Sequence, residues 1–297
     1  MRRDSLADGM LLATTLLWAL NFTVSKYILD HALRPLAYSG IRYTAAALLF
    51  VAITYPWERS LRIGRGDVPL VAGAVAMLLA NQLCFVYALD LTTATTVALL
   101  FGTLPILTAL IARVAGVESR LGNRFWIAAV LSFAGVALVT AGSGESLSGH
   151  LVGDVLAVLG AATWGAYSVA IAPLMRRYSP FRLSAVMLLV VSVPLLLLAS
   201  PELADEDFHW GALVWVGFAF AVLGPLVLTN LLWFTAIDRV GPSRAALFAN
   251  LQPFLAAVIA LLLLAEELTR YQVAGGLAIG AGIMLSRGRQ PPLEPAE

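Results

Sequence analysis

The 297-residue sequence has one cysteine, three histidines and a single lysine, Lys26, and only 12% of it is charged. A lone Cys84 excludes an internal disulfide and a cysteine-built zinc cage. His31, His150 and His209 stand far apart in sequence, in or beside the connections between apolar runs. They lack metal-ligand spacing, so neither a metal nor any other cofactor is expected. No nucleophile stands near a base in a pattern that chemistry would need, which speaks against an enzyme. A net charge of +1 predicts no nucleic-acid partner. Carboxylates are absent from the middle of every apolar run, since Asp90, Asp154, Asp238, Glu118 and Glu266 fall at run ends or in connections.

Apolar surface is what the chain has in abundance. Hydrophobic residues make up 60% of it and the mean hydropathy is +0.86, a composition that calls for lipid as solvent. A membrane-crossing helix takes about 20 mostly apolar residues. Ten such runs follow one another: 9–29, 36–55, 69–89, 92–114, 124–141, 151–173, 181–200, 210–236, 242–265 and 270–286. The first follows Arg2 and Arg3 as a signal-peptide core would. It is longer than such a core and lacks a small-residue cleavage site, so it is read as a retained helix. The expectation is an all-α integral membrane protein with ten transmembrane helices. With the N-terminus inside, fifteen of the 19 basic residues fall on the cytoplasmic side, and the acidic stretch PELADEDFHW falls opposite. The positive-inside rule then places both termini in the cytoplasm.

The two halves of the chain align without a gap at an offset of 148. Ala88, Asp90, Ala98, Leu99, Pro105 and Glu118 meet Ala236, Asp238, Ala246, Leu247, Pro253 and Glu266. Aligned Asp, Pro and Glu are not what low-complexity membrane sequence produces by accident. The organisation expected is a cytoplasmic N-terminus (1–8), a first repeat (9–141), a periplasmic linker (142–150), a second repeat (151–286) and a cytoplasmic tail (287–297). Five helices per repeat is an odd number, so the second repeat is inverted relative to the first. Inverted repeats are the architecture of secondary transporters with a midplane site.

The five-plus-five pattern, the LLWALNF opening of the first run, the paired Pro105 and Pro253 segments and the Glu118 and Glu266 positions resemble the EamA group of the drug/metabolite transporter (DMT) superfamily. Within that group the chain is similar to exporters of aromatic amino acids in bacterial inner membranes. The resemblance implies movement of amino acids, aromatic or large neutral, or of related small metabolites, through a central cavity by alternating access. The implied partners are a small-molecule substrate and the lipid bilayer, with the chain acting as a monomer. The alternatives are an integral membrane enzyme, a non-transporting scaffold, or a sugar-nucleotide or drug transporter of the same superfamily.

Polar groups inside the apolar runs mark the expected path. Trp18, Asn21 and Ser25 recur at i, i+3 and i+7, one helical face. Helix 6 repeats an aromatic followed by polar groups in Trp164, Tyr167 and Ser168. Helix 3 offers Asn81, Gln82 and Phe85, and helix 8 offers Asn230 and Trp233, with Gln82 over Asn230 in the repeat register. An amide in hydrocarbon must meet another helix or a wet cavity, so each is either a path residue or a bond between helices. Pro105 and Pro253 interrupt helices 4 and 9 as expected hinges, with Thr103, Asn250 and Gln252 beside them. Ala128 and Ser132 over Gly276 and Gly280 predict close packing of helices 5 and 10. Lys26 and Arg42 are the cations expected to attract a substrate carboxylate, although Lys26 sits near enough to a helix end to be only an interface anchor. Without a mid-membrane acid, facilitative movement or a drive that uses no carboxylate is expected.

Overall fold

The computed structural model describes residues 2–118, 121–142, 151–264 and 268–286. These form α1 (Arg2–His31), α2 (Pro35–Glu58), a 3-10 turn (Arg65–Asp67), α3 (Val68–Leu91), α4 (Ala94–Phe101), α5 (Leu104–Val114) and α6 (Asn123–Gly142) in the first half. The second half comprises α7 (Leu151–Leu174), α8 (Pro180–Ala204), α9 (Ala212–Val222), a π turn (Leu223–Leu228), α10 (Thr229–Val240), α11 (Pro242–Ala249), α12 (Gln252–Leu264) and α13 (Arg270–Ser286). No strand occurs among the described residues. Among the described residues, eight stretches are long and apolar enough to cross a bilayer, including Thr96–Val114 across α4 and α5, and Ala212–Val240 across α9, the π turn and α10.

The helix starts follow from local chemistry. Pro35, Pro180 and Pro242 stand in first turns, where a missing N–H costs nothing. The Ser179 and Thr93 hydroxyls accept from the N–H groups of Arg182 and Thr96, capping α8 and α4. The most extensive packing couples the two halves: α6 with α13, α2 with α8, α3 with α7, and α1 with α9 and α10. Large apolar side chains such as Leu197 and Leu277 remain exposed on the outside, the surface a bilayer covers.

Three expectations are corrected. The first eight residues are not a separate tail, because α1 begins at Arg2. Its first turns are packed in, with Ala7 and Leu11 fully buried and Asp8 paired with Arg244 of α11. The eighth run does not start at Trp210 or form one regular helix, since α9 opens at Ala212 and Pro225 lies within the π turn. The fourth and ninth runs are interrupted near their prolines, as expected. Each breaks just before its proline, at Gly102 and Thr103 and at Asn250 and Leu251.

The third correction concerns the seam of α6 and α13. A Cβ on Gly135 would lie 2.7 Å from the Gly275 carbonyl oxygen, and one on Gly275 would lie 2.4 Å from that of Gly135. One on Gly282 would lie 2.7 Å from the Ala128 oxygen and 3.3 Å from Ser132. Ala128 and Ser132 therefore belong to the seam. Gly276 faces the Phe254 ring and Gly280 has nothing within 4 Å of an added Cβ. Gly275 and Gly282 are seven residues apart and share a face at about 100° per residue, which turns Gly280 away from it. Residues 143–150, Glu266 and the tail from 287 lie outside the described residues.

Candidate functional site

A cavity of about 90 Å³ lies between the halves. Of the residues expected on the path, it is lined by Trp18, Asn21, Arg42, Asn81, Gln82, Phe85, Trp164, Asn230 and Gln252. Asn21 and Trp18 share a face of α1, which brings amide and indole to the same space. Asn81 also donates to the Gly160 carbonyl at 2.9 Å, so it joins α3 to α7 as well as facing the cavity. Asn230 donates to the Leu226 carbonyl, in the π turn just before α10, at 2.6 Å.

The other expected residues lie elsewhere. Ser25 is buried and shares a 2.7 Å hydrogen bond with the Tyr38 hydroxyl. Lys26 donates to the Leu89 carbonyl at 3.1 Å and pairs with Asp30 at 3.2 Å, away from the cavity lining. Thr103 donates to the Leu100 carbonyl at 2.7 Å. Ser168 accepts from the Trp233 indole N–H at 3.2 Å, and both are buried with Tyr167 behind the lining. Asn250 closes the break in α4 and α5. The Ile106 N–H turns to the Thr103 carbonyl, and the Asn250 amide donates to the Gly102 carbonyl at 3.2 Å. Gly102 and Asn250 are 148 residues apart, the offset of the two halves.

Aromatic rings form two groups about one helical turn apart along α1. Trp18 meets Trp164 edge-on at 5.3 Å and Trp233 at 4.9 Å, and Phe22, Phe85 and Phe101 sit 5.5 to 6.3 Å from one another. Phe22, Tyr43, Phe101, Leu104 and Pro225 are among the lining residues that sequence reasoning missed. Phe22 and Tyr43 directly follow Asn21 and Arg42, and a proline inside the eighth apolar run was the signal for Pro225.

Among the described residues Arg42 is the only charged one in the lining, and it is 3% exposed. Its Nη1 donates to the Tyr38 hydroxyl at 3.0 Å and its Nη2 to Gln82 Oε1 at 3.1 Å. Its Cζ lies 4.7 Å from the Tyr38 ring centroid and 5.5 Å from that of Tyr43. Gln82 in turn donates to Ser39 Oγ at 2.9 Å. Three buried polar atoms of lining residues have no hydrogen-bond partner within the protein: Arg42 Nε, Asn21 Oδ1 and Trp164 Nε1.

The arginine-rich end is tied shut by contacts between the halves. Asp67 pairs with Arg177 and accepts from the Tyr178 hydroxyl at 2.7 Å, and Arg182 Nε donates to Glu58 at 2.7 Å. Arg244 pairs with Asp8 at 3.1 Å. Glu118, just beyond α5, accepts from the Ser243 N–H at the start of α11 and is buried. Burial pushes its carboxyl above the usual carboxylate range, against the downward pull of the bonds from Ser243.

Helices that carry polar groups to a cavity between two interlocked halves define a multi-pass membrane protein of transporter type. The EamA-like transporter family model matches the chain twice, over residues 5–141 and 151–288, and the chain belongs to that family. It is 26% identical to the uncharacterized transporter YyaM of Bacillus subtilis over 94% of this chain and 92% of that protein. It is 27% identical to an uncharacterized transporter of Archaeoglobus fulgidus over 95% of this chain and 97% of that one. It is 23% identical to the uncharacterized inner membrane transporter YedA of Escherichia coli over 95% and 90%. A solved crystal structure of a protein superposes with a TM-score of 0.77 at 18% identity, covering 95% of this chain and 96% of that one, a likeness of fold.

Proposed function

We propose that this protein carries amino acids, aromatic or large neutral, across the bacterial inner membrane by alternating access, as an exporter or facilitative carrier. The observation that carries the reading is the trio of partnerless polar atoms on aromatic-rich cavity walls. Arg42 Nε and Trp164 Nε1 are donors and Asn21 Oδ1 is an acceptor, a set complementary to a zwitterion beside an apolar side chain. Leaving such groups unpaired costs about 1–3 kcal/mol each. All three are shielded in this conformation, so a solute meets them as the cavity rearranges, and its binding favours that rearrangement.

The family supports transport, and the doubled family match supports two repeats of one ancestral unit. With α11 and α12 as the ninth pass and α13 as the tenth, each half makes five passes and the second is inverted. The arginine distribution supports cytoplasmic termini. The lining residues include no carboxylate, which supports movement without a proton relay.

The test is uptake of labelled aromatic, aliphatic, basic and acidic amino acids and a sugar nucleotide into liposomes holding the purified protein, with no ion gradient. Uptake of neutral amino acids is expected, and Asn21→Leu should reduce it about tenfold. Uptake that begins only when a proton gradient is imposed would overturn the uncoupled part of the reading. No uptake under either condition would overturn transport of these solutes.

A further inference from the structure

We infer that Arg42 forms a carboxylate subsite, so that the cavity takes aromatic monocarboxylates with or without an amino group and rejects aromatic amines that have no carboxylate. This rests on the reading of the cavity as a solute path and narrows its substrate class.

The geometry argues from charge. Arg42 is buried where a cation is expensive, and among the described residues none of the ion pairs includes it. Its Nη1 and Nη2 hydrogen bonds go to a hydroxyl and an amide, which orient the guanidinium without neutralising it. Tyr38 is itself held by Ser25, and Gln82 by Ser39, so the fork is fixed from both sides. The guanidinium carries five N–H donors, and the one on Nε has no partner within the protein. A planar fork with spare donors suits a carboxylate. A single cation suits one negative charge better than a diphosphate. Nothing comparable awaits an ammonium: the lining offers it amide oxygens, the Tyr43 hydroxyl and ring faces, all without net charge, and Arg42 repels it. Lys26, the other expected partner, is spoken for by Asp30 and the Leu89 carbonyl.

The experiment is binding of labelled L-phenylalanine to the full-length protein in nanodiscs, in competition with 3-phenylpropionate and phenethylamine. 3-Phenylpropionate is expected to compete within about tenfold of unlabelled phenylalanine, and phenethylamine to be at least about 100-fold weaker. Arg42→Gln should weaken phenylalanine binding about 10- to 100-fold, with Arg42→Lys in between because it keeps the charge and loses the fork. Equal competition by phenethylamine, with phenylalanine still bound, would overturn the subsite and leave amino-acid transport standing. If phenylalanine does not bind, tryptophan fluorescence is titrated with 3-phenylpropionate. Saturable quenching would keep the subsite and overturn the amino-acid reading, and no quenching would overturn both. The wild-type competition decides the question even if an Arg42 variant does not fold.

Discussion

Two cations near one end of the bundle have opposite fates. The Lys26 side chain is about one-third exposed and meets Asp30 one turn along its own helix, whereas Arg42 is sealed in with neutral partners. An exposed i,i+4 pair contributes little, so Lys26→Met is expected to change uptake by less than about twofold in the liposome assay. Glu118 carries a different prediction. Its carboxyl is raised by burial, so the folded state holds the proton more tightly than the unfolded chain. Its contribution to stability is present in the acid range and fades as pH rises through the raised value. Glu118→Gln should therefore raise Tm at pH 8 relative to wild type and shrink the loss of Tm between pH 5 and pH 8. A larger loss in the variant would sink this account.

At the scale of elements, the broken helices and the glycine seam matter most. Pro105 and Pro253 have no N–H to offer, and the breaks open two or three residues before them. Asn250 fills one freed acceptor from the other half of the molecule. Asn250→Ala should cost about 1–3 kcal/mol, read as a lower Tm in detergent. In the α6 and α13 seam, Gly275→Ala must displace the Gly135 carbonyl and should cost about 1–3 kcal/mol. Gly280→Ala meets open space and should be neutral or stabilising by up to about 1 kcal/mol. Equal Tm values for these two variants would contradict the seam. The sequence pattern announced that these helices pack closely, but it could not choose among glycines, because the choice depends on how α13 is rotated against α6.

At the scale of the whole molecule, the arginine-rich end is closed by contacts that each join one half to the other. Removing one partner of a buried pair leaves a charge uncompensated at a cost of about 3–5 kcal/mol, so the closed state loses population. In a Cys84→Ser background, Thr15→Cys provides a probe, since Thr15 is fully buried and donates to the Phe248 carbonyl. Asp8→Asn is expected to speed its labelling by an impermeant maleimide added at the arginine-rich face. Unchanged labelling would mean that the pair does not hold this end shut.

The sequence alone determined that the chain is helical and lipid-facing, because apolar runs of spanning length are a property of consecutive residues. It also pointed to a repeat at an offset of 148 and to polar residues such as Asn21, Gln82 and Asn230 inside the runs. Tertiary structure decided which of them share a cavity. Trp18 and Asn21 line it while Ser25, on the same stripe, bonds Tyr38, because α2 covers that end of the face. Asp8 and Glu118 look like end and loop residues in the sequence and are buried in the fold, because burial depends on which distant segment arrives there. Arg42 stands without a carboxylate for the same reason: Tyr38, one turn back on α2, is legible in the spacing, but Gln82 comes from the packing of α2 against α3, which no spacing within α2 records.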